Sequence, residues 1–485
     1  MSWILGIAPL LGLIAMGMSL AHLVPIAVSV AVNDGVTQAF AVSLAANFGA
    51  GLAVWFATRR YRREIGIREG ILLVVAVWTG GSLFATVPLL LTIKGLSFTE
   101  AFFEAVSGLT ATGATVLTGL DSLPPSVNVW RGELQWLGGM GVIVLAVAVL
   151  PLLGVGGRQL FRAEIPGPMK SDQLTPRITE TAKGLWSIYV MLTVACCLSY
   201  RGAGMSWIDA LVHSFTTMGL GGFSSHDTSF GYFDSPLVEA VAITFMLLAG
   251  INFATHFVAL RHLTARAYVS DIEVRYFVMT AGLSILGISA YLWLNGEYPD
   301  YITSLRFAAF NVISVGTTTG YSTADYNAWP AFAPLWMLFL GTFLSCSGST
   351  GGGIKMIRAV VLFKQVYREF KRLAHPQAIS PLKIAEQPVS NQIIFAVLAF
   401  FFTWTATMVT MTLLLTVSGL DAMTAFSAVV ASLNNIGPGL EGVGPAANYA
   451  HLTNFQTWML AFAMLMGRLE LFTFLVIFTS AFWRK

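Results

Sequence analysis

The sequence predicts an all-α protein that crosses a membrane several times. Of its 485 residues, 56% are hydrophobic and only 11% are charged, whereas a soluble domain carries about 25% charged residues. The apolar residues gather in long stretches, and a membrane-spanning helix needs about 20 of them. Three cysteines and seven scattered histidines form neither a CxxC pair nor an HExxH motif, and long runs of charge are absent. We therefore expect no disulfide framework and no nucleic-acid partner.

Ten apolar stretches are long enough to serve as spans. They cover residues 3–31, 37–58, 69–93, 131–155, 184–200, 236–262, 273–294, 331–364, 391–418 and 454–482. The first stretch lacks a basic leading segment and is longer than a signal peptide, so we interpret it as a retained span.

Basic residues occur in every second connection between these stretches. They are Arg59, Arg60, Arg62, Arg63 and Arg68, then Arg158, Arg162, Lys170, Arg177 and Lys183, then Arg261, Arg266 and Arg275, then Lys364, Arg368, Lys371, Arg372 and Lys383, and finally Arg484 and Lys485. Lysine and arginine accumulate in the cytoplasmic loops of membrane proteins. We therefore expect a multi-pass protein with these connections and both termini in the cytoplasm.

Four of the other connections hold a half-length apolar segment that ends in a glycine-centred polar run. The segments begin at Ser97, Ser206, Asp300 and Asp421. Both serines are followed three residues later by an acidic residue, which is the spacing of a capping box, and aspartate is a good N-cap. The sequence therefore predicts four short helices that enter from outside and return through a loop.

The glycine runs repeat along the chain. Gly113, Gly221, Gly320 and Gly437 follow one another at separations of 108, 99 and 117 residues. Such repetition predicts one architecture that is duplicated around an axis. We place the four repeats at 67–165, 166–268, 269–380 and 381–485, after a two-helix extension at 1–66.

This arrangement favours a cation at the axis. The carbonyl end of a helix carries about half an elementary negative charge, and backbone carbonyls can replace the water shell of a cation. No glycine run has an acidic residue at its centre, which favours a monovalent ion over calcium. Alternatively, the glycines only let helices pack closely, an explanation that suits one run better than four in register.

The chain resembles the Trk/Ktr/HKT superfamily of potassium transporters, and most closely its bacterial TrkH type, which also has two extra N-terminal helices. The resemblance is carried by TATGAT, GGFSS, TTTGYST and NNIGPG, and by QWLGGMGVIVLAVAVLP, RAEIPGP, GSTGGGIKMIR and MLMGRLELFT. It implies potassium uptake across the bacterial inner membrane through a single-chain pore with four M1–P–M2 repeats in pseudo-fourfold arrangement. It also implies a homodimer surrounded by lipid, and a cytosolic TrkA-type ring that binds the nucleotide, with no cofactor in this chain.

The resemblance further implies potassium ligands in each glycine run. They are Ala111, Thr112 and Gly113; Gly219, Leu220 and Gly221; Thr318, Thr319 and Gly320; and Asn435, Ile436 and Gly437. In related transporters a serine in place of a filter glycine accompanies sodium transport, so four glycines imply potassium. Leu220 stands where TrkH-like loops usually have threonine, so a carbonyl is kept there and a hydroxyl is lost.

A further glycine run interrupts the eighth apolar stretch. A phosphate-binding loop needs lysine and then serine or threonine after its last glycine, whereas Ile354 follows Gly353. The resemblance implies instead an intramembrane gate formed by Gly348, Ser349, Thr350, Gly351, Gly352, Gly353 and Lys355. Lys355 either faces the pore as a barrier to cations or extends to the interface. Arg468 either lies near the pore or forms a structural ion pair.

Two other functions are weighed against this one. A secondary transporter built from inverted repeats has half-repeats of opposite orientation, whereas all four short segments here begin on one side. An enzyme needs a nucleophile and base, or a metal constellation, and the sequence offers neither within its spans, so we expect no enzymatic activity. Coupling to protons or sodium, as in a symporter, stays open. His256 is more simply explained by a hydrogen bond between helices than by the ion path.

Overall fold

The computed structural model describes residues 4–61, 66–148, 178–377, 380–385 and 387–484. Its helices are α1 Ala8–Ser19, α2 Leu23–Val32, α3 Thr37–Thr58, α4 Ile67–Thr92, α5 Phe98–Leu109, α6 Pro125–Ala148, α7 Ile178–Gly202, α8 Trp207–Gly219, α9 Pro236–Gly250, α10 Phe253–Arg261, α11 Arg266–Ser270, α12 Ile272–Leu294, α13 Tyr301–Gly316, α14 Phe332–Leu340, α15 Met356–Ala374, α16 Asn391–Val417, α17 Ala422–Leu433, α18 Asn454–Arg468, α19 Leu471–Leu475 and α20 Ser480–Trp483. A two-residue hairpin pairs β1 (Lys383–Ile384) with β2 (Gln387–Pro388) in antiparallel register, Lys383 opposite Pro388. The predicted all-α class is confirmed.

Some predictions fall outside the described residues. They concern the basic residues Arg62, Arg63, Arg158, Arg162, Lys170, Arg177 and Lys485, the motif RAEIPGP, and the repeat boundary at 165–166.

Within the described residues, six helices are long and apolar enough to cross a membrane. They are Ala8–Val32, which joins α1 and α2, and Thr37–Tyr61, Ile67–Thr92, Ala182–Gly202, Ile272–Leu294 and Asn391–Val417. Each coincides with a predicted apolar stretch. Six such helices are typical of a multi-pass membrane protein.

Two predicted stretches contain a sharp bend that the sequence analysis did not predict. The stretch 236–262 bends by 96° between α9 and α10, and the stretch 454–482 bends by 116° between α18 and α19. Asn252 caps the start of α10, where its Oδ1 accepts the N–H of Ala254 at 2.9 Å. Glu470 precedes α19 with a φ of +57°. The eighth stretch is interrupted as predicted, since residues 341–355 between α14 and α15 are not helical.

The four predicted short helices are present as α5, α8, α13 and α17. Ser97 and Glu100 form a full capping box at α5, and Ser206 Oγ accepts the N–H of Asp209 at 3.0 Å at α8. Asp300 and Asp421 cap the other two helices through their carboxylates. Local side chains therefore fix where each helix begins. We call the side of the molecule on which they begin the capped face.

The last turns of the short helices are buried among the surrounding helices. One apolar cluster packs around α8 and α13, and a second packs around α5 and α17. The N-terminal pair α1 and α3 packs closely through Gly12 and Gly51, since a methyl group on Gly12 would lie 2.7 Å from the Gly51 carbonyl oxygen. Small residues allow such close approach of membrane helices. The packing leaves the carbonyl ends of the four short helices inside the molecule.

Candidate functional site

Each short helix ends in a loop with the same backbone conformation. A residue in the left-handed region comes first, then an ordinary residue, then a glycine with positive φ. The left-handed residues are Ala111, Leu220, Thr318 and Asn435, with φ of 51°, 51°, 63° and 54°. The glycines are Gly113, Gly222, Gly320 and Gly437, with φ of 88°, 79°, 85° and 96°. We call residues 111–113, 220–222, 318–320 and 435–437 the glycine loops.

The predicted register of the second loop is wrong by one residue. The counterpart of Gly113 is Gly222 and not Gly221, because Gly222 has the positive φ that the other loop glycines share. Backbone hydrogen bonds agree: Thr112 donates to the carbonyl five residues before it, and so does Gly221. Gly219 therefore lies outside the loop, as the last residue of α8. Among the middle residues of the four loops, Gly221 and Ile436 have no hydroxyl, whereas Leu220 matches Ala111.

The four loops touch one another in a closed ring. Each loop glycine lies against the carbonyl oxygen of the middle residue in the next loop, and no room is left for a side chain. A methyl group on Gly113 would lie 2.1 Å from the Gly221 oxygen, and one on Gly222 would lie 2.0 Å from the Thr319 oxygen. A methyl group on Gly320 would lie 2.0 Å from the Ile436 oxygen, and one on Gly437 would lie 2.6 Å from the Thr112 oxygen. The order runs from the first loop to the fourth and back to the first. The sequence predicted the four loops and not these contacts.

Side chains behind the ring hold its backbone. Gln135 donates to the Gly221 oxygen at 2.7 Å and accepts the N–H of Phe223 at 3.0 Å. Tyr449 donates to the Gly437 oxygen at 2.7 Å. Asn435 reaches the first loop, where its amide donates to the hydroxyl of Thr112 at 2.9 Å. Gln135, in α6, and Tyr449, in the loop before α18, were missed in the sequence analysis, because the sequence around a polar residue does not reveal which distant backbone group it contacts.

A cavity of about 80 Å³ opens above the ring on the capped face. Its lining includes Gly113, Gly222, Gly320, Arg131, Ser224, His226, Asp227 and Tyr449. No group of three metal-ligating side chains occurs anywhere in the described residues. The groups that face this cavity therefore include the backbone of three glycine loops and the carboxylate of Asp227.

At the edge of this cavity, a charged cluster joins the segment that follows the first glycine loop to the segment that follows the second. His226 Nδ1 forms a short ion pair with Asp121, and its Nε2 lies 3.2 Å from Asp209 Oδ1. The His226 ring stacks on Tyr232 with centroids 3.5 Å apart. Burial disfavours the charged imidazole, but the bonds and charges of the two aspartates outweigh it and raise the pKa of His226 above its ordinary value. The two aspartates therefore favour the protonated form of His226.

The segment 341–355 lies directly beneath the glycine loops. Thr350 donates from its hydroxyl to the carbonyl of Met218, near the end of α8, at 2.9 Å. The N–H of Gly352 donates to the Thr318 hydroxyl at 2.8 Å, and a methyl group on Gly352 would lie 2.0 Å from the Asn434 oxygen. Ser349 and Thr350 are fully buried. This segment thus touches three of the four short-helix ends from below.

Charged side chains contact the backbone of this segment. Arg468 is 4% exposed and donates to the Thr350 oxygen at 2.8 Å, so it lies beside the interrupting segment. Lys355 folds back and donates to the Gly351 oxygen. Glu470 pairs with Arg358 at 2.9 Å.

His256 has the role that the simpler explanation predicts. Its Nε2 lies 2.8 Å from the Leu248 oxygen, and its Nδ1 lies 2.8 Å from the Tyr268 hydroxyl. These bonds tie α9 to α10 and α11, on the far side of the 96° bend.

Known proteins share this whole architecture. The family model TrkH, described as a cation transport protein, matches residues 36–485. The Trk system potassium uptake protein TrkH of Halomonas elongata is 47% identical over 479 residues, with 98% of each chain covered, and that of Escherichia coli K12 is 43% identical over 480 residues, with 99% of each covered. The crystal structure of the potassium transporter TrkH from Vibrio parahaemolyticus matches with a TM-score of 0.92 and 39% identity over the full length of both chains. The chain therefore belongs to the TrkH family of cation transport proteins.

Proposed function

We propose that this chain takes up potassium across the bacterial plasma membrane through the opening between the four glycine loops, which form a selectivity filter. The closed ring of carbonyls and glycines carries this proposal, because it surrounds one axis with backbone oxygens. The printed names of the relatives, Trk system potassium uptake proteins, support potassium as the ion.

Selectivity follows from neutral ligands at a fixed spacing. Four helix C-termini each direct about half a negative charge toward the axis, and carbonyls replace the hydration shell of the ion. The ligand positions are Ala111, Thr112, Gly113, Leu220, Gly221, Gly222, Thr318, Thr319, Gly320, Asn435, Ile436 and Gly437. The hydrogen bonds from Gln135 and Tyr449 keep the ring from contracting around a smaller ion.

The interrupting segment acts as the gate. In the conformation described above, it fills the space beneath the filter and meets the ends of three short helices. Arg468 holds it there through the Thr350 oxygen. Ions that pass the filter therefore meet buried backbone until this contact is released.

The wider organisation follows the family pattern. The capped face lies outside the cell, both termini lie in the cytoplasm, and the ten predicted spans form four M1–P–M2 repeats after the N-terminal pair. Helix α15 has a strongly exposed apolar stripe, formed by Phe363, Val366, Tyr367, Phe370 and Leu373. A second copy of the chain covers such a stripe in a homodimer, and a TrkA-type ring docks on the cytoplasmic face, bringing the regulatory nucleotide.

Ion flux from the purified protein in liposomes tests the proposed function. We expect potassium flux to exceed sodium flux under equal gradients, and an imposed pH gradient to leave it unchanged. Equal fluxes of the two ions would overturn the potassium assignment. Flux driven by the pH gradient would favour a proton symporter.

Deletion of Gly348 to Gly353 tests the gate. Removing the segment leaves α14 and the first half of α15, residues 356–363, largely apolar, and the filter lies elsewhere. Flux should rise several-fold and lose its dependence on the added TrkA-type ring, while the potassium-to-sodium ratio stays constant. A folded deletion with unchanged or lower flux would reject the gate, and a lost ratio would make the segment part of the filter.

A further inference from the structure

One position in the short helices supports the filter from behind in three repeats. It lies nine residues before the loop glycine and holds Glu104, His213 and Asn311. Each side chain reaches past the filter to the chain that leaves it. Glu104 accepts the N–H of Val116 at 3.1 Å, His213 Nε2 lies 3.0 Å from the Ser224 hydroxyl, and Asn311 donates to the Thr323 hydroxyl at 2.9 Å.

In the fourth repeat, a residue at a different position makes the corresponding hydrogen bond. Ala428 occupies the equivalent position and has no polar group. The preceding residue, Ser427, accepts the N–H of Leu440 at 2.9 Å. Leu440 follows Gly437 by three residues, as Val116 follows Gly113. A bond from the short helix to the exit of its loop is therefore a shared feature of all four filter loops.

Only the first repeat uses a carboxylate, and that carboxylate has a partner that reaches the second repeat. Arg131 donates from Nε to Glu104 at 2.8 Å and from Nη1 to the Ser224 oxygen at 3.1 Å. Its guanidinium also lies over the Phe223 ring, 4.2 Å from the centroid. The side chains of Arg131 and Glu104 are 1% and 0% exposed. The pair thus links the exits of two adjacent filter loops.

The burial of this pair argues against a role in stability alone. Removing two charges from water is costly, and apolar residues of similar size often stabilise a protein as well or better. What an arginine supplies is a rigid planar fork that fixes the positions of its acceptors. Here those acceptors are Glu104, in the first short helix, and the Ser224 carbonyl, just after the second glycine loop.

From this geometry we infer that Glu104 and Arg131 are positioning residues that set the spacing of the first and second filter loops and so contribute to ion selectivity. The inference rests on the proposed function of the filter. The pair does not touch the ion; it acts through Thr115, Val116 and Ser224.

Selectivity of two variants in liposomes tests the inference. Glu104→Gln keeps the shape of the side chain but removes the ion pair, and we expect the potassium-to-sodium flux ratio to fall about tenfold. It also leaves Arg131 buried without its carboxylate, which lowers stability. The double variant Glu104→Gln, Arg131→Met has no unpaired charge and should regain thermal stability, while its flux ratio stays low because the fork is absent.

An ion pair elsewhere provides the matched control. Glu239 pairs with Arg306 at 2.6 Å between α9 and the start of α13, and Glu239 is also buried. Glu239→Gln should lower thermal stability and leave the flux ratio at its wild-type value. A ratio lowered as much as in Glu104→Gln would indicate general loosening and overturn the inference.

The two levels of the proposal fail in different ways. If the wild-type protein does not prefer potassium, the proposed function is wrong. If the wild type prefers potassium and the folded double variant has the wild-type ratio, the positioning role is wrong and the filter assignment stands.

Discussion

Placing a methyl group on one filter glycine should separate two of the four loops. In Gly113→Ala the new Cβ would lie 2.1 Å from the Gly221 oxygen, whereas real Cβ contacts are at least 3.0 Å. The neighbouring carbonyl must therefore shift by nearly 1 Å. A carbonyl that no longer meets its ion forfeits a contact comparable to a hydrogen bond with a charged group, about 1.5–3 kcal/mol. Since 1.4 kcal/mol is a factor of ten, we expect potassium selectivity to fall roughly tenfold or more.

Backbone strain must be separated from this collision. Gly113 has a φ of +88°, where an L-residue costs about 1–2 kcal/mol. Gly95 has nearly the same φ, +83°, and no atom within 4 Å of the position of a Cβ. Gly95→Ala therefore carries the strain alone and should lower thermal stability without changing selectivity.

The assay is the potassium-to-sodium flux ratio of both variants in liposomes, with thermal stability measured in detergent. A graded series extends it, because the Cβ of Gly437→Ala would lie 2.6 Å from the Thr112 oxygen and demands a smaller displacement than that of Gly113→Ala. A folded Gly113→Ala protein with the wild-type ratio would refute the closed ring as the source of selectivity.

Two further predictions concern charges on either side of the filter. Arg468→Gln should raise flux roughly tenfold or more at constant selectivity, because it removes the charged hydrogen bond to the Thr350 oxygen that holds the proposed gate in place. Arg468→Lys keeps the charge and should change flux less. Unchanged flux in both variants would argue against this role of Arg468. The raised pKa of His226 means that its protonated form supports the cluster with Asp121 and Asp209, so this support is complete below pH 6.5 and is lost as pH rises through the folded-state value. The melting temperature of the wild type in detergent should therefore fall more between about pH 6 and pH 9 than that of His226→Gln. Both proteins retain the nearby His213 and Asp227, so these groups contribute equally to the two curves. Equal falls would contradict the stabilising role of protonated His226.

The sequence allowed the short helices and their caps to be predicted because these depend on neighbours in the chain. Ser97 and Asp300 each meet their backbone partner three residues away. The register of the second loop could not be settled in this way. The adjacent glycines Gly221 and Gly222 both permit positive φ, and only the packing of the next loop selects Gly222.

The bends and the supporting side chains depend on contacts distant in sequence. Apolar residues lie on both sides of the bend before α10, so the apolar stretch continues across it in the sequence. The contacts of Arg468 with Thr350 and of Gln135 with Gly221 join residues that are 118 and 86 positions apart in the chain, so no local pattern reveals them. The repeat boundaries, the homodimer and the TrkA-type partner stay predictions.

The ring of loops also fixes when during synthesis the ion path can be completed. Asn435 of the fourth loop bonds Thr112 of the first, a contact across 323 residues. A nascent chain that has inserted three repeats therefore has an open arc of carbonyls, with one side of the first loop unsupported. The arc closes only when the fourth loop is in place. Under the proposed function, we expect partly made chains to lack a selective pore, and a truncation before the fourth loop to remove the filter as a whole rather than a quarter of it.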